Sequence, residues 1–210
     1  MSNATKTVVR TGRKFDQVLT GARQVFMADG FEGASVDDIA KAAGVSKATL
    51  YSYFPDKRLL FTEVVRNECN QQANEAMYVI DEEAPAAEVL RLAGRTLVGI
   101  LTSEFSQKIF RVCVGESERF PELGRDFYKS GPLLGRERLG DYFQCACSRG
   151  ELVIEDIDLA ADQFSELCKT DLFARMVFGI DQTFTEEEIT RVVDGAVDMF
   201  LARYGAPTAG

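Results

Sequence analysis

A chain of 210 residues, 46% of them apolar, is long enough for one large domain or two small ones and can supply a substantial core, which excludes a disordered chain. Twenty-four basic against thirty-three acidic side chains give a net charge of −9, so indiscriminate attraction to nucleic acid or to an anionic membrane is excluded too. The charge is unevenly divided: residues 1–60 carry nine Lys/Arg and six Asp/Glu, net +3, and residues 61–210 carry fifteen and twenty-seven, net −12.

Residues 1–12 hold no apolar segment and are expected to form a disordered or tag-derived arm. From there Phe15, Val18, Leu19, Ala22, Val25 and Phe26 step by threes and fours along one helical face until Gly30 stops the helix. Ser35 followed by Asp38 is a capping pair that starts a second helix through Ile39 and Ala40 to Ala43. Gly44 ends it, and Ser46 caps a third helix, 47–54, closed by Pro55. A longer helix is predicted over 58–80, from Phe61 to Ile80. Further helices follow at 86–103, 106–117, 122–149 with an interruption at Gly131-Pro132, 157–178 and 186–204. Residues 205–210 are expected to be a flexible tail. Almost nothing alternates with period two, so the predicted fold is all-α: an N-terminal three-helix domain over 13–58 joined to a larger helical domain over 59–204.

The two short helices around Gly44 meet the demands of a helix-turn-helix. Ala40 is a small residue for the crossing, Gly44 supplies the turn, and Ile39, Val45, Leu50 and Phe54 anchor the inner side. Lys47, Ala48, Thr49, Tyr51, Ser52 and Tyr53 are left on or near the outer side, where hydroxyls, an ammonium and small apolar groups suit phosphates, base edges and thymine methyls. Lys57, just beyond, is placed for a phosphate. An ordinary helical hairpin with a polar outer face is the competing reading, and the local positive charge favours DNA.

With Ala22, Phe26, Gly30-Phe31, Ser35-Val36, Ile39-Ala40, Ala43-Gly44-Val45-Ser46, Thr49-Leu50-Tyr51, Tyr53-Phe54 and Lys57, the stretch from Arg13 to Leu60 resembles the DNA-binding domain of the TetR family of transcriptional repressors. Phe110-Arg111-Val112 with Glu116, Arg119 through Leu123, Phe127-Tyr128 and Gly131-Pro132 resemble that family's AefR-like C-terminal domain. The resemblance implies that Lys47, Thr49, Tyr51 and Ser52 face the major groove and that Ser35, Tyr53 and Lys57 lie on the DNA backbone. Asp37 departs from the pattern, because a carboxylate near DNA is repelled by phosphate unless it accepts a cytosine amino hydrogen.

The remaining features exclude more than they assign. With no histidine, the chain lacks the commonest general base and metal ligand and every Ser-His or Cys-His pair, and it has no glycine-rich phosphate loop. It is read as a non-enzyme without catalytic residue, metal or cofactor. Five cysteines (Cys69, Cys113, Cys145, Cys147, Cys168) are an odd, sparse set that fits reduced thiols in a cytoplasmic protein, and Cys145 and Cys147 are too close along a helix to share a side. Glu116, Glu118 and Glu122 read as a solvated acidic face rather than a metal site. Apolar runs of about five residues fall far short of a membrane span.

The expected function is a repressor that binds a palindromic duplex as a homodimer, its recognition helices about 34 to 36 Å apart, and is released by a small hydrophobic or aromatic effector. The last two long helices, rich in apolar positions, are expected to form the dimer interface through Phe164, Leu167, Phe173, Val177, Val193, Val197 and Phe200. Phe105, Phe110, Cys113, Phe120, Phe127, Tyr128 and Phe143 are the candidates for lining the effector pocket, the alternative being that these aromatics are close-packed core. A helical protein-interaction or scaffolding domain is the competing function.

Overall fold

The computed structural model describes residues 12–77 and 83–207. The expectations for the arm before residue 12, for the end of the 58–80 helix and for the last three residues of the tail lie outside them. Among the described residues there are eleven α-helices and no strand. They fall into two compact units, one of residues up to Glu68 with Lys108–Phe127, the other of Cys69–Gln107 with Tyr128–Gly210.

In the first unit α1 (Arg13–Gly33) buries the predicted stripe of Phe15, Val18, Leu19, Ala22, Val25 and Phe26. Its helical geometry is interrupted at Gly30, whose φ of 72° is open to glycine at little cost. α2 (Val36–Ala42) and α3 (Lys47–Tyr53) follow, then α4 (Lys57–Met77). Rings knit these helices together: Phe15 lies 5.5 Å from Phe54, and Phe61 lies 5.1 Å from Phe26 and 5.0 Å from Phe31. α1 comes close to the end of α2 at Gly21, where an added Cβ would stand 2.5 Å from the backbone nitrogen of Ala43. Lys108 adds a hydrogen bond from Nζ to the Met27 carbonyl at 2.7 Å.

The second unit is built from the end of α4 from Cys69 on, α5 (Ala86–Thr102), the start of α6 (Glu104–Glu116), the end of α7 (Pro121–Tyr128), α8 (Leu134–Ser148), α9 (Ile157–Cys168), α10 (Leu172–Val177) and α11 (Glu186–Tyr204). At Gly131-Pro132 the chain does not stop: a π-helical turn, Lys129–Leu133, takes in Pro132, its wider spacing accommodating the missing N–H. The helix expected over 157–178 is two helices. The backbone tightens after Cys168, with Lys169 N–H bonded to the Glu166 carbonyl and Thr170 N–H to that of Leu167, and Asp171 adopts a φ of 64°. Buried Cys168, Leu172 and Met176 keep the four-residue spacing through this break, so periodicity does not register it. The tail begins later than expected, because Gly205 forms an isolated antiparallel bridge with Leu152 and Ala206 N–H donates to Glu151.

Four of the expected interface residues are instead core. Phe164, Val193, Val197 and Phe200 are at most 1% exposed, in one cluster with Leu90, Phe143 and Cys168. A side chain sealed inside its own unit has no surface to offer a partner. Leu167 is half-buried against the same cluster, and Phe173 and Val177 are half-buried. The apolar side chains left exposed in this unit include Leu159, Phe178, Ile180 and Met199.

Candidate nucleic-acid interface

The α2–α3 pair is set by local chemistry on both sides of a tight turn. Ser35 caps α2 by accepting from the Asp38 backbone N–H at 3.1 Å, while its hydroxyl donates to the Asp38 carboxylate. At the other end Gly44, with φ of 64°, and the bond from Val45 N–H to the Ala40 carbonyl at 3.0 Å close the helix and reverse the chain. Ser46 then caps α3, accepting from Thr49 N–H at 3.1 Å. Leu50 and Phe54, 1% and 2% exposed, anchor α3 inward. Phe54 N–H closes α3 on the Leu50 carbonyl, and Asp56 caps the start of α4, its carboxylate accepting from the backbone N–H groups of Arg58 and Leu59.

The predicted contact residues divide into three groups. Lys47, Ala48, Tyr51 and Ser52 are exposed along α3, Tyr51 at 49%. Thr49 and Tyr53 are half-buried. The Thr49 hydroxyl lies 2.9 Å from that of Ser46, and the Tyr53 ring meets the edge of Phe15 at 5.8 Å. Ser35 is exposed but engaged as the cap. Lys57 is half-buried and engaged: its ammonium donates to the carbonyls of Phe31, Glu32 and Ala34 at 2.7, 3.3 and 3.1 Å and sits 4.7 Å from the centre of the Phe31 ring. It fastens the α1–α2 connection. Asp37, which the sequence leaves unresolved, forms an ion pair with Lys47 across the turn.

The predicted effector residues are divided between the two compact units. Phe143 is core, its ring 5.0 Å from that of Phe200, because α8 and α11 share one apolar cluster. Phe105 is also buried, and Tyr128 is exposed. These three belong to the second unit, whereas Phe110, Cys113, Phe120 and Phe127 belong to the first. There Phe110 and Phe127 lie 6.2 Å apart, and Arg58 of α4 stands 4.6 Å from the Phe120 ring centre with Glu122 within 4.0 Å. An open cleft of about 550 Å³ among Arg13, Gln17, Thr20, Gly21 and Ala43 contains none of the seven. Among the described residues no group of three or more Cys, Asp or Glu is disposed to hold a metal, and no helix is long and apolar enough to cross a membrane.

A short capped helix, anchored inward and polar outward after a glycine turn, defines a helix-turn-helix DNA-binding protein. Residues 18–64 match the profile of bacterial regulatory proteins of the tetR family, and residues 88–206 match that of the AefR-like transcriptional repressor C-terminal domain. The chain belongs to the TetR family of transcriptional regulators. It is 30% identical to a TetR-family regulator from Mesorhizobium loti MAFF303099, over 92% of this chain and 98% of that one, with a TM-score of 0.87. With the flavonoid-responsive regulator FrrA the identity is 37% over 95% of this chain and 100% of that one, at a TM-score of 0.79. An HTH-type transcriptional regulator of Mycobacterium tuberculosis (strain ATCC 25618 / H37Rv) is 36% identical over 94 residues, which are 45% of this chain and 44% of that relative's length.

Proposed function

We propose that the protein is a dimeric repressor that reads a palindromic operator with α3 and leaves it when a small hydrophobic or aromatic effector binds. The observation that carries this reading is the outward face of Lys47, Ala48, Tyr51 and Ser52 on a helix clamped by buried Leu50 and Phe54. Repression fits the AefR-like C-terminal profile, and an aromatic effector fits the flavonoid response named for FrrA.

Release needs an element that answers to the ligand and moves α3. Lys108–Phe127 is suited to this role, since it is in the same compact unit as the helix-turn-helix and carries Phe110, Phe120 and Phe127. Lys108 holds α1 at Met27, and Arg58 joins the start of α4 to Phe120 and Glu122. A ligand that shifts this segment therefore pulls on both helices that frame α2 and α3. For dimerisation the exposed side of α11, with Gly195, Met199 and Ala202 at helical spacing, replaces the buried residues expected from sequence.

The test is a titration of the full-length protein on its selected duplex with a panel of flavonoids, other hydrophobic aromatics and sugar phosphates. Release by an aromatic compound with a 5- to 150-fold loss of affinity, about 1 to 3 kcal/mol of coupling, is expected. DNA affinity indifferent to the whole panel contradicts the induction reading and leaves DNA recognition standing.

A further inference from the structure

Residues 36–54, which contain α2, the turn and α3, carry two acidic and two basic side chains. The local net charge of the reading element is therefore zero, although the first 60 residues are basic. Asp38 is taken up by Ser35 at the start of α2. Lys47 is the single basic residue within α3, and its ammonium is paired with the carboxylate of Asp37. Both partners are open to solvent, with Lys47 60% and Asp37 61% exposed.

The placement is electrostatically one-sided. A carboxylate in the first turn of α2 is favoured by that helix's dipole, whereas an ammonium on the first residue of α3 is opposed by its own. Asp37 therefore supplies the counter-charge that the start of α3 lacks. A backbone phosphate approaching Lys47 meets a cation already neutralised and an anion beside it.

We propose that Asp37 is a specificity-determining residue, an internal phosphate mimic that withholds Lys47 from arbitrary DNA and releases it where a cytosine amino group receives the carboxylate. In the major groove the N4 amino group of cytosine is the donor that an Asp side chain accepts. Exchanging Lys47 for that donor satisfies both groups at once: the carboxylate gains a base-edge hydrogen bond and the ammonium is free for a phosphate. On a duplex lacking cytosine at that position the exchange leaves a carboxylate facing phosphate and nothing in return. The inference rests on α3 being the recognition helix.

The test uses the full-length protein and four variants, Asp37→Ala, Asp37→Asn, Lys47→Ala and the Asp37→Ala/Lys47→Ala pair. Each is titrated against a duplex selected by the wild type from a random pool and against a scrambled duplex of equal composition, over a range of KCl. Asp37→Ala is expected to bind the scrambled duplex about tenfold more tightly and to steepen the salt slope by about one, the value of one additional phosphate contact. Its preference for the selected duplex over the scrambled one should fall by about tenfold. Removing Lys47 should abolish most of that gain, and a pool re-selected with Asp37→Asn should lose one C·G preference in each half-site. The proposal is overturned if Asp37→Ala leaves slope and preference unchanged, or weakens both duplexes alike while lowering the melting temperature, which would make Asp37 a helix-start stabiliser. If the wild type selects no sequence at all, the recognition-helix reading fails first, and the failure is attributable to it.

Discussion

The ammonium of Lys57 is surrounded by three carbonyl oxygens and an aromatic face, an arrangement that holds the α1–α2 connection in place. Hydrogen bonds to a charged group contribute about 1.5 to 3 kcal/mol, so Lys57→Ala should lower stability by about that amount and leave the salt slope of DNA binding unchanged. A shallower slope at full stability would restore the phosphate role. The titratable residues bound stability from both sides of neutrality. The Arg149 guanidinium, with the Ala86 N–H, holds the Glu151 carboxyl below the usual range, and the Thr185 N–H, with Arg175, does the same for Glu188. Their contribution is present above the ordinary carboxylate range and is lost as pH falls through the lowered values. Burial pushes the Cys168 thiol from 9.0 up to about 12, so its contribution is present below 9 and is lost as pH rises towards 12. Melting temperature against pH should therefore show a neutral plateau with both limbs falling, and Cys168→Ala should flatten the alkaline limb. An unchanged alkaline slope would contradict the assignment.

Helices whose boundaries are written in local chemistry were legible before the structure, and those decided by packing were not. The caps at Ser35 and Ser46 and the stop at Gly44 are encoded in three or four adjacent residues, so α2 and α3 fall within a residue or two of their expected ends. The break at Lys169–Asp171 escaped because a residue other than glycine adopts positive φ there, held by the hydrogen bond from Arg175 to the Asp171 carboxylate. Periodicity likewise identifies an apolar face without saying what it faces, which is why Phe164 and Val197 read as interface when α5 and α8 bury them. Lys57 shows the same limit for the site, since a basic residue after a recognition helix suggests phosphate and says nothing of the carbonyls that surround it. Gly21 carried a usable signal: a glycine on the apolar face of an otherwise regular helix marks a close crossing. Gly21→Ala forces a methyl against the backbone of Ala43 and should destabilise the first unit by about 1 to 3 kcal/mol, the usual cost of overpacking. A wild-type melting curve for this variant would place the α1–α2 crossing elsewhere.

At the scale of the whole chain, the outward face of α3 matters only if two copies present it together, because duplex geometry separates equivalent major-groove positions by one turn, about 34 to 36 Å. A basic first quarter and an acidic remainder then have a clear division of labour, the one approaching phosphates and the other keeping the rest of the molecule from binding DNA indiscriminately. Tyr51, 49% exposed and the most exposed aromatic side chain of α3, is the residue through which this account stands or falls. The direct measurement is selection of duplexes from a random pool by the full-length protein, followed by affinity at several salt concentrations for the wild type and Tyr51→Ala. Two inverted half-sites centred about 10 base pairs apart, a salt slope of several units, and a loss of about 1 to 3 kcal/mol with altered base preference in Tyr51→Ala are the expected results. Recovery of no common sequence, or equal affinity and preference in the variant, would contradict the assignment of α3 as the element that reads DNA.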